Sequence, residues 1–208
     1  MIDYYLPSDA RGPVALEIHS GTTLVRRFSS DDKPDVIDEK DVNVPMYWAR
    51  PPQMLSASKG MHRFVWDLRY PAPGVVDHDF PISAIYRDTP YEPLGIFAVP
   101  GAYTVTLTVN GRTSTQPLTI KMDPRASITP IGLQRQFSMA KTLVDAMNST
   151  FAALQTAPSD SDRARDLSAL NSDLAAALDV IEGADRAPTM QAVRAVAALQ
   201  RRVAALVH

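Results

Sequence analysis

No cysteine occurs in the 208 residues of this chain, so disulfides and thiolate metal sites are both excluded. That absence fits a periplasmic or secreted protein as well as a cytosolic one. Positive charge is not in excess either. Lys and Arg number 21 against 23 Asp and Glu, for a net charge of −2, and the isoelectric point is near 6.1. A nucleic acid or an anionic membrane would call for a basic surface, so neither is expected as a partner. No segment approaches the ~18 consecutive apolar residues of a membrane span. A Gly-x-Ser-x-Gly nucleophile elbow is missing, and Ser56, Ser58, Ser83 and Ser114 stand in no distinguishing context. The opening residues, Met1-Ile2-Asp3-Tyr4-Tyr5-Leu6-Pro7, lack the charged and apolar regions of a signal peptide. They read as the middle of a strand, which leads to the expectation that the chain is part of something longer.

What is present is two halves with different periods, in a chain long enough for one large domain or two small ones. Fourteen of the 17 prolines lie at or before Pro124, leaving Pro130, Pro158 and Pro188 where helix starts are expected. The first half is built of short alternating runs. Tyr103, Val105, Leu107 and Val109 share one face at period two, and Asn110-Gly111 supplies a type I′ turn into the next strand. Val14–His19 and Thr22–Phe28 flank Ser20-Gly21 as a second hairpin, Tyr4-Tyr5-Leu6 is a short strand, and Met61–Tyr70 alternates so that Phe64, Trp66 and Leu68 face a core. Ser29–Gly60 and Pro71–Val99 are long connections, of a length more often functional or interface-forming than idle.

In the second half the apolar steps alternate between four and three residues. Leu133, Phe137, Ala140, Val144, Met147, Phe151 and Leu154 form one stripe, and Leu167, Leu170, Leu174, Ala177 and Ile181 a second. Ala192, Val196, Leu199, Val203 and Leu206 form a third. The expectation is an α+β protein: an antiparallel Ig-like β-sandwich over residues 1–126, then an antiparallel three-helix unit over 127–208. Thr129 is the expected N-cap of the first helix and Gly183 a C-cap.

Several of these segments resemble one bacterial family. They are Ile2–Leu6, Gly12-Pro13-Val14, Arg26–Asp32, Tyr47-Trp48, Gly60–Tyr70, Pro100–Tyr103 and Met122–Arg125. The match is to the C-terminal region of large sortilin-like or BNR-repeat, glycosyl-hydrolase-like β-propeller proteins. There a sandwich of the flagellar-hook-capping Ig-like type follows the propeller, and a helical tail follows the sandwich. The propeller, with its Ser-x-Asp-x-Gly-x-Thr-Trp boxes, is absent from this chain. The resemblance therefore implies an accessory domain in a periplasmic or secreted protein, and lends no catalytic residue to this sequence.

Candidate chemistry is sparse. His62 and Asp67 fall on opposite faces of a regular strand, so they make no catalytic pair there. Asp67 and Arg69 share a face and read as an ion pair beside a core Trp66. Asp77-His78-Asp79 offers metal-ligand types, but a site needs three or four converging ligands. His19 is the one distant histidine suited to join it, His208 being terminal, so no metal or cofactor is expected. A glycosidase or esterase would draw its acid and base from Asp67, Asp77, Asp79 and Glu92.

The long connections carry Tyr47, Trp48, Phe80, Tyr86, Tyr91 and Phe97 among prolines, with Arg50 and Arg87 nearby. The plainest reading is that these aromatics cover the sandwich. A protein interface comes second and sugar stacking third, with Tyr47, Trp48, Arg50, Phe80, Tyr86 and Tyr91 as the contacts. The function expected is a non-catalytic interaction or scaffold module, with a protein partner or a second copy of the chain. A loop-carboxylate hydrolase and a carbohydrate-binding module are the alternatives. Self-association is expected through an apolar surface, the C-terminal helix being the favoured one because Val193, Ala197 and Ala204 extend its apolar face.

Overall fold

The computed structural model describes residues 1–34, 37, 39–40, 44–81 and 85–207. Ser83 and His208 lie outside them. The fold is α+β, with two antiparallel sheets and three helices, arranged as two compact units. The first unit is Met1–Tyr70, Phe80–Pro90 and Pro100–Met122; the second is Pro71–Asp79, Tyr91–Val99 and Asp123–His208. Where a single break near residue 126 was expected, the connection between Tyr70 and Pro100 is shared. Its two limbs group with the helices and its tip with the strands.

In the first unit the strands are β1 (Ile2–Leu6), β2 (Ala15–Ser20), β3 (Thr23–Ser29), β4 (Gly60–Phe64), β5 (Gly101–Val109) and β6 (Arg112–Ile120). β1 and β4 pair as a two-stranded sheet, and the order β3-β2-β5-β6 makes a four-stranded one. The β5–β6 turn has positive φ at both Asn110 and Gly111, as a type I′ turn requires. β6 is an edge strand, which is where Pro117 costs no ladder bond. Alternation decides the burial. Leu16, Ile18, Val25, Tyr103 and Val105 are buried from the four-stranded sheet, and Tyr4, Leu6 and Phe64 from the small one. Rings from the two sheets meet where Phe28 lies 4.6 Å from Phe64. Leu107 is only half-buried, toward the hairpin end.

The strand expected to run to Tyr70 stops at Phe64. Trp66 is buried as expected, its edge against Tyr103 at 6.1 Å and its Nε1 donating to the Arg69 carbonyl at 2.9 Å. That bond requires the backbone to curl back, and Leu68 takes a φ of 63° in doing so. The curl turns Leu68 out to 38 % exposure, contrary to its expected core position. Residues 65–69 are a loop closed around an indole.

The second unit contains α1 (Pro130–Thr156), α2 (Asp162–Glu182) and α3 (Met190–Val207), each packed against the other two. Thr129 caps α1 through its hydroxyl, which accepts from the Gly132 N–H at 3.1 Å, and Ser161 does the same for α2. Gly183 ends α2 in right-handed rather than left-handed geometry. A Cβ there would lie 3.0 Å from the Asp179 carbonyl, a tight approach that the helix end would relieve by shifting a few tenths of an ångström. The α1 seam is rotated by about one residue from the apolar stripe read in the sequence. Leu143 is fully buried and so are the polar Gln136 and Thr150, while Leu133, Phe137, Val144 and Phe151 are half-buried.

The two limbs of the shared connection are tied to these helices by amides. Asn171 of α2, with no exposed surface, donates through Nδ2 to the carbonyls of Gly74 and Met147 and to the Thr150 hydroxyl, at 3.0–3.1 Å. Its Oδ1 accepts from Val76 N–H at 3.0 Å. Gly74 also donates to Asn148 at 2.8 Å, and a Cβ on Gly74 would sit 2.7 Å from the Phe151 ring. Glycine is required there by close approach.

Candidate functional site

Within the first unit, Met46–Trp48 forms one turn of 3-10 helix, and the residues after it run beside the tip of the shared connection. Ala49 and Thr89 form a parallel bridge. Arg50 N–H donates to the Thr89 carbonyl at 2.9 Å and Thr89 N–H to the Trp48 carbonyl at 3.0 Å. Thr89 is fully buried, and its hydroxyl both donates to the Ile85 carbonyl and accepts from the Ile85 N–H. This closes the turn Tyr86–Asp88, in which Arg87 adopts a φ of 56°. Arg50 pairs with Asp88 through Nε at 2.8 Å, an exposed ion pair that orients rather than stabilises.

The result is an open groove of about 400 Å³. Tyr47 and Tyr86 stand over it with rings 6.5 Å apart and tilted by 43°, 62 % and 69 % exposed. Met46, Pro51 and Pro52 supply further apolar wall, and Arg50 and Arg87 supply cations. No carboxylate is among the described residues that line it. Large rings left in water beside arginines have the composition of interface anchors.

The structure thus brings together Tyr47, Arg50 and Tyr86 of the six candidate contacts. Trp48 is half-buried, its ring edge-on to Tyr47 at 5.9 Å. Phe80 is a buried core residue. Tyr91 belongs to the helical unit, where it stacks on His78 at 4.8 Å. Met46, Pro51 and Pro52 were missed. Their signal was the run Pro51-Pro52 directly after Tyr47–Arg50, which stiffens a wall without supplying any polar chemistry.

The four candidate carboxylates are divided between the units. Asp67 is exposed and accepts from the Arg69 backbone N–H at 3.1 Å, a turn-closing bond made to the main chain. Asp79 and Glu92 are backbone partners in an isolated antiparallel bridge, at 3.1 and 2.8 Å, so their side chains leave one face side by side. Asp79 is exposed. His78 Nδ1 lies 3.2 Å from the Glu92 carbonyl, and Asp77 is exposed. Among the described residues, no three His, Cys, Asp or Glu side chains are grouped as a metal ion would need. No described helix is long and apolar enough to cross a membrane. No family model matches the chain, and neither does any curated protein or solved structure.

Proposed function

We propose that the chain is a non-catalytic interaction module of an extracytoplasmic, sortilin-like or BNR-repeat propeller protein, periplasmic or secreted. In this reading the strand-built unit is an Ig-like sandwich and the helices are its tail. The opposed apolar faces of the two sheets, joined by the Phe28–Phe64 ring contact, support the sandwich. The sequence segments from Gly60 to Tyr70 and from Pro100 to Arg125 support the family.

One observation carries the interaction reading: the groove under Tyr47 and Tyr86, walled by prolines and flanked by Arg50 and Arg87. A protein segment fits it better than a sugar. A pyranose stacks best between or upon coplanar rings, and these two are tilted by 43°. A hydrolase would need carboxylates facing a cleft, and the described groove lining offers none.

The test is site-specific photo-crosslinking in the native cell, with the photoreactive residue at position 86 and a control at Arg112 in β6. A discrete protein adduct from position 86 alone, lost in Tyr47→Ala, is the expected result. Adducts from both positions, or from neither, would remove the groove from the interface. A saturable change in tryptophan fluorescence with soluble oligosaccharides, abolished by the same substitution, would transfer the site to the carbohydrate reading.

A further inference from the structure

The two sheets treat their outward faces in opposite ways. Across the four-stranded sheet, one row reads Arg27, Glu17, Thr106 and Thr115 in register, with Glu17 paired to Arg27 at 3.8 Å. The next row on β5 and β6 is Thr108 opposite Thr113. Apart from Leu24, 49 % exposed opposite His19 beside the β-bulge, that is the polar exterior expected of an antiparallel sheet with one wet side. The small sheet breaks this rule. Tyr5 lies opposite Met61 in the β1–β4 register, and they are 58 % and 69 % exposed. The same alternation sets Met1 and Val65 at the other end of that face, both exposed. Between the two apolar pairs sits Asp3 opposite Arg63, joined by two hydrogen bonds of 2.8 and 2.9 Å.

This pattern is complementary to itself. A two-fold axis along the strands, between two such faces, sets Asp3 of one copy over Arg63 of the other. It also sets Tyr5 over Met61, and repeats both contacts by symmetry. The four charges alternate in sign, and the apolar pairs close around them at the spacing of stacked sheets. We infer that the outer face of the β1–β4 sheet is the surface through which two copies of this chain associate. The inference stands apart from the Tyr47–Tyr86 groove, which it does not use. It also moves self-association away from α3. From Ala187 to His208 the chain has three arginines and no acid; Arg202 is paired with Asp173 of α2 at 2.6 Å, and a copy laid on that helix meets the like charge of Arg194 and Arg201. Four apolar side chains around one ion pair fall short of the ~800 Å² per partner of a standard interface, so the dimer is weak.

Sedimentation of the full chain from about 10 μM to 1 mM spans the range in which so small an interface populates. The expected result is a weight-average mass rising from monomer toward twice that value. Met61→Glu should hold the chain monomeric across the range, with its thermal midpoint unchanged because Met61 is exposed. Asp3→Arg alone sets Arg against Arg63 across the axis, and Arg63→Asp alone sets Asp against Asp3. Each variant should be monomeric, and their equimolar mixture should dimerise. A wild-type chain still monomeric at about 1 mM overturns the proposal and leaves the face to a different partner. A dimer that survives Met61→Glu, or a mixture that stays monomeric, overturns it as well.

Discussion

The two compact units bury polarity by different means. In the strand-built unit, besides the small hydroxyls of Ser29 and Thr89, two buried rings carry their polar tips to the backbone. Trp66 Nε1 reaches the Arg69 carbonyl, and the Tyr4 hydroxyl both donates to the Ser56 carbonyl at 2.8 Å and accepts from the Ser56 N–H at 2.7 Å. In the helical unit, besides the Thr150 hydroxyl, the buried polar groups are whole side-chain amides. Asn171 binds Gly74, Val76, Met147 and Thr150, and Gln136 donates to the carbonyls of Ile181 and Ala184 at the end of α2. A ring contributes mainly by its apolar area and uses its polar tip to aim a loop. An amide contributes little area, and its value lies in the backbone groups that would otherwise be buried unpaired.

The largest expected effect tests the first half of that contrast. Trp66→Ala should cost about 3–5 kcal/mol in urea unfolding, the range for deleting a large buried aromatic. Trp66→Phe, which keeps a ring and loses the Nε1 bond, should cost about 1 kcal/mol. Equal losses in the two variants would mean that the bond to Arg69, rather than the ring, holds the loop.

Asn171 should behave the other way round. Asn171→Ala and Asn171→Leu should each cost about 2–3 kcal/mol, because leucine restores volume but leaves the Gly74 carbonyl and the Val76 N–H without their partner. Amide hydrogen exchange at Val76 should speed up in both variants. If Asn171→Leu matched the parent chain in stability, the amide would contribute packing alone and the contrast between the units would fail.

The smallest effect is electrostatic and lies on the surface. Hydrogen bonds from Arg63 hold the Asp3 carboxyl below its ordinary pKa, and the charge of Arg63 adds to this. A carboxyl whose pKa is lower folded than unfolded favours folding above its unfolded pKa, and that contribution is lost as pH falls through the folded pKa. Stability of the parent chain should therefore decline slightly more on acidification below about pH 4 than that of Asp3→Asn. Because the pair is exposed, the difference should shrink at high salt. A difference unaffected by salt would point to a cause other than this pair.

Legibility follows the same division. The β5–β6 hairpin, the β2–β3 hairpin and all three helices were readable because local periodicity and turn residues specify them. Trp66 was readable as core because a ring of that size in an alternating run has few other places to go. The exposure of Leu68 was not, since it follows from a carbonyl bending back to meet an indole N–H. On α1 the buried Gln136 and Thr150 were invisible to an apolar count, which displaced the seam by about a residue. Within the candidate site, Tyr47, Arg50 and Tyr86 could be named from aromatic and cationic content. Phe80 and Tyr91, of the same composition, belong to a core and to a stack on His78.

By itself, then, the sequence determined the strands and helices, their turns and caps, and the absence of thiol chemistry, because each depends on residues within a few positions of one another. Tertiary structure alone decided which limbs of the Tyr70–Pro100 connection join the helices, which tyrosines meet over a groove, and which side of the small sheet remains apolar and open. Those outcomes rest on partners 38 to 97 residues apart, such as Arg50 with Asp88 and Gly74 with Asn171. No local period encodes such pairings, and only the folded chain brings them within a hydrogen bond's length.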